Sequence, residues 1–192
     1  FTLLTLFFTP PLHDYDIPIA NAWVNTGLCR LSGEIADGFH VHPLNSPAYL
    51  REVVRPAIAE GATEAGRSPD DVSLFASVFV VTGHDDAEMA RSRESVRQQI
   101  SFYASTPSYR VILEMHGWAD VGEQLSRLAA RKQWDEMPRL ISDEMIETFA
   151  VVAPPEEVGR AVLARYRGLV DRVMLYYQYV PGEFDELWAP AI

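Results

Sequence analysis

The sequence predicts an α/β chain of about four parallel strands joined by helices, with one long helical insert. Three observations lead there. Short apolar runs rich in Val, Ile and Phe alternate with amphipathic stretches, the order expected of strands separated by helices. Strands separated by helices pair in parallel through right-handed crossovers. The 192 residues are 48% hydrophobic and 22% charged, an ordinary globular composition that excludes a disordered tail, a collagen-like chain and a disulfide scaffold.

The elements follow in order. Residues 9–18 hold three prolines and read as an irregular lead-in. Ile19 to Val24 reads as a strand, Asn25-Thr26-Gly27 as a turn, and Leu28 to Ile35 as a short helix closed by Asp37-Gly38. Phe39-His40-Val41-His42 is a second strand, stopped by Pro43. Ser46-Pro47 is a helix start, a hydroxyl cap followed by proline at the first helical position. Pro56 inside the following helical pattern predicts a kink. Val72 to Thr82 is the clearest buried strand and runs into Gly83. From residue 84 to 150 the pattern is almost wholly helical, with starts at Asp85-Asp86, Pro107, Asp120 and Trp134. Phe149 to Val152 is a brief strand, and Pro154-Pro155-Glu156-Glu157-Val158 opens a helix with acidic residues at its positive end. Val170 to Tyr177 is the last strand, followed by an acidic tail with Trp188.

The chain is read as a single domain over 1–192, a partial barrel that includes the insert. Outside the insert, roughly 125 residues hold about four strand–helix units at roughly 30 residues each. A closed eight-fold barrel needs about 250 residues. The length therefore suits half a barrel or a small open sheet.

Charge and cysteine content narrow the partners. Lys+Arg is 16 against Asp+Glu 27, a net charge of −11, which argues against a nucleic-acid partner. The local cations Arg91, Arg93 and Arg97 read as a solvated helix face. Lys132 is the only lysine and Cys29 the only cysteine. No internal disulfide can form, Cys29 reads as a small buried hydrophobe, and a reducing, cytoplasmic setting is expected. The apolar start Phe1 to Phe8 is too short to span a bilayer, so no membrane partner is expected. The chain opens on Phe1, which reads as a processed product or a piece of something longer.

Four segments carry a family resemblance. Leu31-Ser-Gly-Glu-Ile-Ala-Asp-Gly-Phe-His-Val-His-Pro43 resembles the luciferase-like monooxygenase superfamily, in the branch that uses the deazaflavin coenzyme F420. Asn45 to Pro56 resembles the helix that follows in that branch. Phe102 to Arg110, with His116-Gly117 after it, resembles the insert near its ligand pocket. Val151 to Val158 resembles the start of its last helix. The similarity covers about Phe8 to Tyr179. It implies the C-terminal half of a (β/α)8 barrel, a site at the strand C-termini, coenzyme F420 (alternatively FMN), and hydride transfer to or from a small organic substrate. It also implies that the family's residues acting on the substrate come largely from earlier strands. Two departures stand out: Asn25-Thr26-Gly27 replaces a Gly-Pro turn, and Ala153 replaces a Gly.

The candidate site residues follow. Asn25, Thr26 and Gly27 sit between a strand and a helix N-terminus, where backbone N–H groups hold a phosphate or merely turn the chain. His40 and His42 share one side of a strand, because side chains alternate with period two. They are candidates for cofactor contact; the alternative, a divalent metal in a hydrolase, needs further ligands on later strands. Thr82 ends the strongest strand, a place for cofactor contact or a plain turn. Tyr103, Tyr109 and Arg110 are candidates for the substrate side of the insert, or for its packing. One of Tyr176 and Tyr177 faces the barrel mouth, and Tyr177 is taken as that residue. Half a barrel leaves open sheet edges, so a homo-oligomer or a separately encoded N-terminal half is expected as partner, and a non-catalytic binding module is the alternative function.

Overall fold

The computed structural model describes residues 17–177. The apolar start, most of the proline-rich lead-in and the acidic tail with Trp188 lie outside the described residues. Five strands form one sheet: β1 (Ala20–Trp23), β2 (Gly38–Val41), β3 (Ser73–Val81), β4 (Ala150–Val152) and β5 (Arg172–Tyr176). Every pairing is parallel. The sheet has five strands, one more than the roughly four expected, because the brief run at Ala150–Val152 pairs as a strand of its own.

The order is not simply sequential. At Phe75 and Ala76, β3 pairs with both β2 and β5, which must lie on its opposite edges. At Phe79 it pairs with both β4 and β5. A strand has two edges, so β2 and β4 share one, with β4 near the C-terminal end. The wall thus runs β1-β2-β3-β5, and β4 sits beyond the end of β2.

Period two divides the sheet into two faces. Phe39, Val41, Leu74, Ala76, Val78 and Val80 are buried beneath helices. The opposite face carries Ala22, His40, Phe75 and Arg172 in one row across the four strands of the wall. Ala22, His40 and Arg172 are exposed there, and Phe75 is half-buried. His40 packs its ring 4.9 Å from Phe75, and the Arg172 guanidinium lies 5.6 Å from the same ring.

Helix α1 (Thr26–Ile35) starts earlier than the sequence pattern suggests. Asn25 is its N-cap and accepts from the Leu28 N–H at 2.9 Å, which draws Thr26 and Gly27 into the first turn. Ser46 caps the next helix as expected, accepting from the Tyr49 N–H. That helix is continuous through α2 (Pro47–Tyr49), a π-helical turn (Leu50–Val54) and α3 (Arg55–Glu64). The break expected at Pro56 takes the form of this π turn, in which the Arg55 N–H reaches back to the Leu50 carbonyl. Pro56 has no N–H to continue the α pattern.

The insert contains α4 (Asp86–Ala104), α5 (Arg110–Met115), α6 (Ala119–Ala130) and α7 (Asp143–Phe149), joined partly by 3-10 turns. Helix α8 (Pro155–Tyr166) then leads to β5. One apolar core joins the sheet to the insert: Phe79 and Val81 belong to the same cluster as Ile100, Leu113, Leu125 and Met145. Arg97 corrects the reading of a solvated face. Only 19% of its side chain is exposed, and it binds Asp143, Glu94 and the Ile141 carbonyl, tying α4 to the start of α7. Among the described residues no helix is long and apolar enough to cross a membrane.

Candidate functional site

The C-terminal ends of β1 and β2, the cap of α1 and the loop before α5 enclose a cleft of about 510 Å³. Its lining includes Asn25, His40, His42, Ser77, Ser108 and Tyr109. Four of the residues singled out in the sequence therefore converge on one hollow, from three separate segments of chain. A larger hollow of about 670 Å³ lies on the insert beside Phe102 and Trp134, but it gathers none of them.

His42 is the most constrained of the four. Its Nδ1 accepts the Leu44 N–H at 3.1 Å. Its ring stacks on Tyr109 at 4.4 Å and meets Tyr103 edge-on at 4.5 Å. Burial pushes its pKa down to about 4, so the ring is neutral near pH 7. Its carbonyl accepts from the Asn45 side chain at 2.8 Å. Asn45 is wholly buried, and its amide also donates to Pro43 and Ser77 while its Oδ1 accepts from the Tyr166 hydroxyl. Asn45 thereby fastens the end of β2 to β3 and α8.

An aromatic wall rises behind His42. The hydroxyls of Tyr103 and Tyr176 meet at 2.6 Å, and Phe79 lies edge-on to Tyr176. Desolvation, then the bond to Tyr176, pushes the Tyr103 pKa up to about 12, so Tyr103 keeps its proton near neutrality. Tyr176 rather than Tyr177 is thus the tyrosine on this side, because Tyr176 shares its register with Phe79. Tyr177 does not line the cleft; its hydroxyl pKa is raised by desolvation and then by Glu88 at the start of α4.

The remaining candidates lie apart. Thr26 and Gly27 are exposed in the first turn of α1, beside the cleft but not among its lining residues. Thr82 is 2% exposed, with no hydrogen bond to its hydroxyl, and its N–H donates to Ser92 of α4. It packs under the insert rather than in the cleft. Arg110 begins α5 and does not line the cleft either. Among the described residues no group of three or more His, Cys, Asp and Glu side chains is placed to hold a metal ion.

Sequence reasoning missed Asn45 and Ser77, and chose Tyr177 where the structure places Tyr176. The signal for Asn45 was its place two residues after Pro43 and directly before the Ser46 cap, where an amide can satisfy a turn. Ser77 sits in an apolar strand, where a lone hydroxyl gives no warning.

Comparisons with known proteins agree with this architecture. The family profile described as luciferase-like monooxygenase matches residues 1–172. An uncharacterized protein of Mycobacterium tuberculosis is 42% identical over 173 residues, covering 90% of this chain and 51% of its own length. A 5,10-methylenetetrahydromethanopterin reductase of Methanopyrus kandleri is 30% identical over 145 residues, covering 74% of this chain and 40% of its own length. The solved structure of a coenzyme F420-dependent tetrahydromethanopterin reductase from the same organism superposes with a TM-score of 0.65 at 25% identity, covering 83% of this chain and 45% of that one. The chain spans about half the length of the curated relatives it matches.

Proposed function

The chain belongs to the luciferase-like monooxygenase family, and from that premise we propose that it forms part of an F420-dependent oxidoreductase whose deazaflavin binds in the cleft at the ends of β1 and β2. The observation that carries this reading is the convergence of Asn25, His40, His42 and Tyr109 on that cleft. The F420 dependence in the name of a structural neighbour supports the choice of cofactor. When bound, a deazaflavin supplies a ring carbon that accepts or gives a hydride, and the protein supplies orientation and electrostatics.

The residues present fit such a group. A flat ring system with carbonyl oxygens needs an aromatic wall and fixed donors, and a phosphate needs free N–H groups. The stacked His42 and Tyr109 rings supply the wall, and the hydroxyls of Ser77 and Ser108 supply donors at the lining. Asn25 already caps the Leu28 N–H, which leaves the Thr26 and Gly27 N–H groups at the positive end of α1 for an anion. Tyr103, bonded to Tyr176, backs the His42 ring edge-on and holds it against the cleft. The substrate is a small organic molecule, on the reading that the insert borders the same hollow through Thr106 and Ser108.

Titration of the purified chain with F420, followed by the cofactor's absorbance and fluorescence, tests this. A saturable change, competed poorly by FMN, is the expected result. A folded chain that leaves the F420 spectrum unaltered would sink the reading for this chain on its own.

The exposed row of Ala22, His40 and Arg172 leaves part of this sheet face uncovered among the described residues. Met174 is 56% exposed in the middle of β5, on the face that also carries His40 and Arg172. Such a face supports a covering partner, either a second copy or a separate half-barrel.

A further inference from the structure

We infer that His42 is locked as the Nε2-protonated neutral tautomer and that it donates this proton to an acceptor oxygen of the ligand in the cleft. The inference deepens the cofactor reading above and rests on it for the identity of the ligand. The Leu44 backbone N–H can only donate, and it points at Nδ1 from 3.1 Å. A protonated Nδ1 would set two hydrogens against each other. The single proton of the neutral ring must then sit on Nε2.

The surroundings hold that arrangement. The 4.4 Å stack on Tyr109 holds the ring plane, and a flip within that plane would give up the Leu44 bond. The backbone bearing it is pinned by the Asn45 amide on the His42 carbonyl. Nε2 makes no hydrogen bond within the protein among the described residues, and it is not among the buried polar atoms left without a partner. It is therefore open to solvent, and the residue lines the cleft.

Two consequences separate this from a generic histidine contact. A ring fixed this way is a hydrogen-bond donor, not a general base, because its lone pair is occupied by Leu44. Its ligand group is an oxygen or nitrogen that carries no proton, such as a ring carbonyl or a phosphate oxygen. A group that must donate is rejected, since it would meet another donor.

Nitrogen-15 NMR of the ring, read through its long-range carbon-bound protons, tests the tautomer without any ligand. Nδ1 should show the shift of an unprotonated nitrogen and Nε2 that of a protonated one. The reverse pattern, or rapid averaging of the two, overturns the inference whether or not F420 binds. Titrations with F420 then compare the wild type with His42→Gln, whose side-chain amide keeps a donor near the Nε2 position, and His42→Leu. Loss of one donor should weaken binding by about tenfold in His42→Leu, with His42→Gln within a few-fold of the wild type. Equal binding by all three overturns the donor role. If the tautomer is as inferred but the wild type binds neither F420 nor FMN, the cofactor reading fails and the donor role falls with it. A parallel titration with inorganic phosphate assigns the oxygen: competition with F420 that disappears in His42→Leu places a phosphate there, and its absence leaves a ring carbonyl.

Discussion

Asn45 has every polar side-chain atom satisfied inside the protein, although the residue is wholly buried. Removing an amide from such a place leaves carbonyls and a tyrosine hydroxyl without partners. Asn45→Ala should destabilise the chain by about 3 kcal/mol in urea unfolding, and should also loosen the His42 tautomer seen by NMR. His42 itself makes stability depend on pH. Its folded pKa of about 4 lies below its unfolded value, so the unfolded chain binds more protons between them. Stability should therefore fall as pH drops from about 6.5 towards 4, and the fall should be shallower in His42→Gln. His116, also lowered by burial, adds to the same slope and remains in that variant. An equal slope in both proteins would show that His42 titrates normally. Of these residues, His42 was legible in the sequence because two histidines two apart on a strand share a face. Asn45 showed only its local turn bonds in prospect, because the partners that tie it to the rest of the fold lie 32 residues away at Ser77 and 121 away at Tyr166.

At the scale of elements, α1 and α3 cross at a point where both carry glycine. A side-chain carbon on Gly33 would collide with the Ile58 carbonyl, and one on Gly61 with the Arg30 carbonyl. Backbone cannot give way as a flexible side chain can, so Gly33→Ala should cost about 3 kcal/mol despite alanine's better helix propensity. Gly27→Ala is the control. Its added carbon meets only Asn25 at an ordinary 3.6 Å, and the change should stabilise α1 by up to about 1 kcal/mol. Thermal or urea unfolding of both variants gives the two signs; a Gly33→Ala chain as stable as the wild type would refute the close crossing. Helix positions were readable from caps and spacing, as Ser46 and Asn25 show. The crossing was not, because a glycine within a helix reads only as a weak helix former until its neighbour across the interface is known. The same holds for Arg97: its place on the helix face was visible, but Asp143 and the Ile141 carbonyl, which bury it, belong to a different helix and its approach.

Within the described residues the molecule is a parallel wall with helices on one face; on the other, the insert packs over the strand ends through Tyr103 against His42, Phe79 and Tyr176, while Ala22, His40 and Arg172 lie exposed. Exposed residues on that face, Met174 and Arg172 on β5 and His40 across β3 from them, favour association. Light scattering on the purified chain should give a mass above one copy, and Met174→Glu should lower it; a monomer would show that no second copy covers this face. By itself the sequence determined the alternation of strands and helices, the helical character of residues 84–150, the family, and several of the segments that line the cleft. Those features are written in residues close along the chain: caps, period-two and helical spacing, and short motifs. Only the tertiary structure decided that β2 and β4 share an edge of β3, that Tyr176 and not Tyr177 faces the insert, that Thr82 lies beneath α4, and that Asn45 holds the site together. Each of these depends on which distant residues meet, and contact between distant residues is set by packing, of which local pattern carries no record.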